Sequence, residues 1–150
     1  QADQYGNLNV SKFGPRLAGA GGFINISQTS KKVVFVGTFT AGKLNVAVEN
    51  GALKILKEGE TVKFVAEVEH RTFSGEVAFK SGQPVLYITE RCVFRLVESG
   101  LELIEIAPGV DLEKDILALM DFKPIISPNL KIMDERIFRA ESMGLQDMVQ

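Results

Sequence analysis

Residues 45–56 constrain the fold of this chain more than any other stretch. Asn45-Val46-Ala47-Val48-Glu49 and Ala52-Leu53-Lys54-Ile55-Leu56 both read as alternating strands, and Asn50-Gly51 joins them. Asn-Gly accepts the two positive φ angles of a type I′ turn, so the segment predicts a tight β-hairpin. Glu58-Gly59 supplies another turn, and residues 61–69, with Val62, Phe64, Ala66 and Val68 on one face, are expected to form a strand. Further strands are expected at 73–79, 85–89, 93–98 and 101–106, with Ser99-Gly100 as the last tight turn. Residues 32–39 are an uninterrupted β-branched and aromatic run, which predicts a strand covered on both faces.

Helical signals are short and few. A short helix is expected after the glycines at 19–22. Asp111 reads as an N-cap, followed by Ile116, Leu117, Leu119 and Met120 at helical spacing until Pro124. Pro128 and Asn129 mark a loop, Asp134 caps a final short helix carrying Ile137 and Phe138, and residues 141–150 read as a fraying tail. Many strands with few helices, the latter gathered towards the C-terminus, indicate a mixed, strand-dominated α/β domain.

Composition narrows the function classes. At 150 residues, 45% hydrophobic and 24% charged, the chain has the makings of one globular domain, 1–150. Seventeen Lys+Arg against nineteen Asp+Glu leave a net charge of -2 with no basic block, so nucleic acid is not an expected partner. One Cys and one His rule out a disulfide within the chain and a Cys/His zinc site, and no metal is expected. No apolar run approaches the length of a membrane span, so no membrane partner is expected. The first ten residues carry neither the basic flank nor the apolar stretch of a signal peptide, which makes the cytoplasm the expected compartment. The chain opens without Met, on alternating residues 7–10, and reads as entry into the middle of a module.

Few residues could carry chemistry. In Gly19-Ala20-Gly21-Gly22-Phe23 the glycines leave backbone N–H groups uncovered, and such donors can hold an oxyanion or a phosphate. The cluster lacks the Lys-Ser/Thr of a phosphate loop and the third glycine of a dinucleotide fingerprint. Asn25 and Gln28 are candidate supporting residues for this loop. Glu49-Asn50-Gly51 has the look of a nucleophilic carboxylate in a turn, but hairpin geometry accounts for all three residues and leaves Glu49 a solvated shoulder. His70 is expected to be a surface or hydrogen-bonded residue, and Cys92 a small buried hydrophobe. For Glu90-Arg91 solvation and internal pairing remain open.

Three separated motifs then agree in order with a known family. Residues 3–11, Asp-Gln-Tyr-Gly-Asn-Leu-Asn-Val-Ser, followed by 19–26, Gly-Ala-Gly-Gly-Phe-Ile-Asn-Ile, resemble the β-subunit-like half of the family I coenzyme A transferases. Residues 87–95, Tyr-Ile-Thr-Glu-Arg-Cys-Val-Phe-Arg, resemble its late strand pair, and residues 106–111 its entry into a helix. The ending around 139–145 is similar to the single-chain acyl-CoA:acetate/3-ketoacid transferases, close to the propionate CoA-transferases.

The resemblance implies an open sheet of the CoA-transferase type and a covalent route through a glutamate carboxylate. That glutamate forms first an acyl anhydride and then a glutamyl-CoA thioester. The family's order of motifs places the glutamate before Gln1, so no catalytic residue is expected here. The 150 residues are expected to be a C-terminal piece, inactive without the N-terminal part. Gly19, Ala20, Gly21, Gly22 and Phe23 match the GxGGF motif that the family uses around the oxyanion. Coenzyme A would be a substrate rather than a resident cofactor, with acyl-CoA and small carboxylates as partners in a homo-oligomer. The alternative reading is a non-enzymatic β-rich binding or assembly domain. A sugar-phosphate isomerase of related fold is weaker, because no Asp-Lys constellation stands out.

Overall fold

The computed structural model describes residues 1–148, so Val149 and Gln150, at the end of the expected fraying tail, lie outside the described residues. In chain order the strands are β1 (Ala2–Asp3), β2 (Lys12–Phe13), β3 (Arg16–Leu17), β4 (Val33–Val36), β5 (Thr40–Ala41), β6 (Asn45–Glu49) and β7 (Ala52–Lys57). They continue as β8 (Thr61–Val62), β9 (Phe64–Val65), β10 (Val85–Ile88), β11 (Cys92–Val97), β12 (Gly100–Ile106) and β13 (Ile125–Ile132). The α-helices are α1 (Phe23–Thr29), α2 (Gly75–Lys80) and α3 (Leu112–Asp115).

The frame is a five-stranded mixed sheet in the order β13-β12-β11-β10-β4. β10, β11 and β12 form an antiparallel meander, while β4 and β13 join its two edges in parallel. One face carries the main core, in which Phe73, Tyr87, Cys92, Phe94, Leu101, Leu103 and Ile116 are almost fully buried. On the other face the β6–β7 hairpin and the 3-10 turn Glu135–Phe138 cover β10 to β12, through Leu53, Val93, Ala107, Met133 and Phe138. The hairpin turns where expected: Asn50 and Gly51 have φ of 53° and 79°, and Glu49 pairs with Ala52. Asp111 and Asp134 also cap as expected, accepting from the amides of Lys114 and Arg136.

Several local expectations are overturned. The strand at 32–39 is shorter and lies at the sheet edge. Val34 and Val36 are 46% and 79% exposed, because the hairpin covers β10 but does not extend over β4. Helix α2 (Gly75–Lys80) takes the place of the strand expected at 73–79. Ser74 accepts from the Val77 amide as its N-cap, and Gly75 lies so close to the Tyr5 carbonyl that an added Cβ would sit 2.2 Å from its oxygen. Residues 61–69 form only β8 and β9, because the Val68 amide donates to Asp3 Oδ2 and takes no part in a ladder. Residues 7–10 make only isolated bridges at Leu8. Pro128 and Asn129 fall inside β13, where the register shift opposite residues 103–105 and the edge position tolerate a proline. The helices are not gathered at the C-terminus, since α1 and α2 precede residue 81.

Candidate functional site

β4 and β10 run parallel and end side by side, the place where open α/β sheets keep their ligand crevices. Beyond their C-terminal ends lies a groove of about 430 Å³, walled by Phe13, Phe23, Phe35, Phe64 and Tyr87, with Gly37, Thr38 and Lys63 at its polar side. Phe23 packs on Phe35 with ring centroids 5.8 Å apart, and Phe35 meets Phe73 edge-on at 4.9 Å. Tyr87 Oη donates to the Gly6 carbonyl at 2.6 Å, and burial pushes its phenol well above the usual range.

The glycine loop leads into this groove. Gly19 and Gly21 have φ of 42° and 52°, and a Cβ added at either would meet nothing within 4 Å, so both are glycine for backbone conformation and not for lack of space. Gly22 is the N-cap of α1 and offers no side chain to cap it. Among the described residues the amides of Gly19, Ala20, Gly21 and Gly22 donate to no protein acceptor, whereas the Phe23 amide returns to the Ala20 carbonyl at 3.0 Å. Of these five residues only Phe23 lines the groove. Asn25 is exposed on α1. Gln28 points the other way, its Oε1 accepting from the Ser74 amide at 3.2 Å, so it ties α1 to the start of α2.

Behind the groove sits a buried charge cluster. Arg91 is 0% exposed and binds Glu58 through both terminal nitrogens, at 2.9 and 3.1 Å. Its Nε donates to Glu90 at 2.7 Å, Nη1 also reaches the Asp115 carbonyl, and the guanidinium stacks 4.8 Å from the Phe39 ring centre. Glu90 Oε2 in turn accepts from the Phe39 amide at 2.8 Å, pinning the segment that leaves β4. Of the two alternatives for Glu90-Arg91, internal pairing is the one the fold adopts. A fully buried carboxylate, Asp3, accepts from the amides of Tyr5, Asn7 and Val68 and from Asn7 Nδ2, and so folds residues 3–7 into a closed turn.

Glu49 is exposed on the hairpin and paired with Lys54. His70 is exposed, and its Nδ1 lies 2.8 Å from Ser11 Oγ. Burial pushes the Cys92 thiol up to about 12, an inert thiol in the core. Among the described residues no three His, Cys, Asp or Glu side chains gather to hold a metal, and no helix is long and apolar enough to cross a membrane. Sequence reasoning missed Asp3, Lys63 and Glu58 as placed groups. The only signal for Asp3 was the Asp-Gln-Tyr-Gly-Asn spacing of a side-chain-closed turn.

No family model matches the chain. It is 56% identical over 96% of its length to acetate CoA-transferase YdiF of Escherichia coli (strain K12), and 53% identical over 99% of its length to caffeate CoA-transferase of Acetobacterium woodii. The chain spans only 27% and 29% of the length of those two proteins. Its fold superposes with a TM-score of 0.94 on the crystal structure of acyl-CoA transferase YdiF from E. coli O157:H7 in thioester complex with CoA, covering 96% of this chain and 28% of that one. Glutaconate coenzyme A-transferase from Acidaminococcus fermentans, at 17% identity and a TM-score of 0.63, shares the fold, and so does the decarboxylase AibA/AibB at 18% and 0.61. Over the region compared, the chain is similar in sequence and in fold to CoA-transferases, of which it matches a segment of somewhat more than a quarter.

Proposed function

We propose that these residues are part of a transferase that moves coenzyme A between a short-chain acyl-CoA and acetate or a ketoacid. The observation that carries this reading is the 56% identity, over nearly the whole chain, to an acetate CoA-transferase. The open glycine loop beside the groove is in keeping with it. The same fold serves a decarboxylase, so fold alone would not support it.

In this reading a glutamate carboxylate outside residues 1–150 attacks the thioester carbonyl, and the electron pair moves onto the carbonyl oxygen. Collapse of that tetrahedral intermediate expels the CoA thiolate and leaves an acyl-glutamyl anhydride. The thiolate then attacks the glutamyl carbonyl, releasing the first carboxylate and forming a glutamyl-CoA thioester, and the incoming carboxylate runs the steps in reverse. The amides of Gly21 and Gly22 are the proposed donors to the developing oxyanions. Among the described residues they have no protein acceptor, and the left-handed backbone at Gly21 favours glycine, which is the preorganisation such a site requires.

The 150 residues act as one domain, the C-terminal piece of the β-subunit-like half, and Val110 packing against both core clusters supports a single unit. Coenzyme A is a passing substrate, the protein is cytoplasmic, and it works as a homo-oligomer together with its N-terminal part. The test is to mix acetyl-CoA and labelled propionate with the full-length protein and, separately, with residues 1–150. Labelled propionyl-CoA from the full-length protein alone supports the reading. Absence of turnover in the full-length protein removes it.

A further inference from the structure

Lys63 lies between β8 and β9 and brings an ammonium group to the polar side of the aromatic groove. It is half-buried, and its Nζ donates to the Thr38 carbonyl with Thr38 Oγ1 at 3.5 Å. An ammonium has three donors, so capacity remains for a further acceptor. Among the described residues Lys63 forms no ion pair. Glu90, the acid whose charge it feels, spends one oxygen on Arg91 Nε and the other on the Phe39 amide. Burial holds the ammonium below its ordinary value, as expected for a cation that has lost water without gaining a carboxylate.

A half-desolvated cation over an aromatic trough has a specific chemical complement: a carboxylate with a small apolar body. The groove's 430 Å³ lies near the lower end of the range for small-molecule sites, enough for a compact organic acid. We infer that Lys63 is a specificity-determining residue that binds the carboxylate of the acyl acceptor, whose apolar body rests against Phe23 and Phe35. The inference rests on the transferase reading for its reaction but not for its binding site.

The experiment uses full-length protein as wild type, Lys63→Met and Lys63→Arg, with acetyl-CoA as donor and propionate or cinnamate as acceptor. Cinnamate binding is followed in parallel by calorimetry. In Lys63→Met the KM for the acceptor should rise roughly ten- to a hundredfold, the range for losing a hydrogen bond to a charged group. The KM for acetyl-CoA and the melting temperature should hold, and Lys63→Arg should recover most of the loss. An unchanged acceptor KM, or a KM effect confined to acetyl-CoA, overturns the inference while leaving the transferase reading intact. A lowered melting temperature without any change in acceptor binding shows a packing role and also overturns it. If the wild type transfers no CoA yet binds cinnamate in a Lys63-dependent way, the transferase reading falls and the site stands.

Discussion

Replacing Arg91 by Met should destabilise this protein more than any other single change to a charged residue. The guanidinium is fully buried, makes four hydrogen bonds to Glu58, Glu90 and the Asp115 carbonyl, and stacks on Phe39. Met fills much of the same volume, so the loss is not chiefly a cavity. It comes from leaving Glu90 and Glu58, whose side chains are only 16% and 31% exposed, without their cation. Breaking a buried pair by removing one partner costs about 3–5 kcal/mol. For a domain of this size each kcal/mol lowers Tm by roughly 2–4 °C, so calorimetry should show a drop of about 6–20 °C.

The same cluster fixes a pH dependence. Burial alone would raise the Glu58 carboxyl, but hydrogen bonds from Arg91, Thr40 and the Gly59 amide outweigh it and hold it below its ordinary value of 4.5. A carboxyl depressed in the folded state takes up its proton more readily when the chain unfolds. Its contribution to stability is therefore complete above pH 4.5 and is lost as pH falls through the lower folded value. In Arg91→Met this acid-side loss should shrink. A Tm change under about 2 °C, with an unaltered acid limb, would refute the reasoning, because it would mean that the two carboxylates find other partners at no cost.

Three further outcomes follow from named contacts. Glu49→Ala should leave turnover of the full-length protein within a few-fold of wild type and stability within about 1 kcal/mol, since its ion pair to Lys54 is exposed on both sides; abolished turnover would make Glu49 a functional carboxylate. Cys92, with its thiol at about 12 and no exposed surface, should resist iodoacetamide at pH 8 until the protein unfolds, and rapid native-state labelling counted by mass spectrometry would contradict its burial. Gly75→Ala should destabilise strongly, by roughly 2–4 kcal/mol in urea titration, because the new methyl meets the backbone at the Tyr5 carbonyl; a near-neutral result would show that the Tyr5–Gly6 turn yields easily.

What the sequence made legible was local chemistry with a single solution. Asn50-Gly51 allowed only a tight turn, Asp111 and Asp134 offered their carboxylates to the next amides, and residues 85–106 carried a meander whose turns were marked by polar residues and Ser99-Gly100. Where two periods fitted, the wrong one was easily preferred. Phe73, Gly75, Val77 and Phe79 alternate as a strand would, yet Val77 and Phe79 are 53% and 42% exposed, and the buried set is Phe73, Gly75 and Ala78. A serine cap and a glycine close to a distant carbonyl decided that segment, and the second of these is a tertiary fact.

Burial of polar groups was the least legible property. Asp3, Asn9 and Arg91 are each 0% exposed, although residues of these types are usually at the surface. Some of their partners lie up to 65 residues away, as with Asp3 and the Val68 amide, so local pattern announces only part of each network. The site divides along the same line. Its glycine loop could be read from composition, whereas the groove that Phe23 enters exists only because β4 and β10 pair in parallel and end together.

Gly21→Val in the full-length protein decides whether the glycine loop serves the reaction or only the fold. The left-handed backbone at φ 52° makes a β-branched residue strained by about 1–2 kcal/mol, while the open space around it admits the side chain without a clash. Tm should therefore fall by only a few degrees, somewhat more than a surface loop with ordinary backbone would show. If the valine twists or shields one oxyanion donor, kcat per folded molecule should fall by about 10²–10³. A variant that loses those few degrees and keeps normal turnover per folded molecule would contradict a role in the reaction and leave the loop a matter of backbone geometry alone.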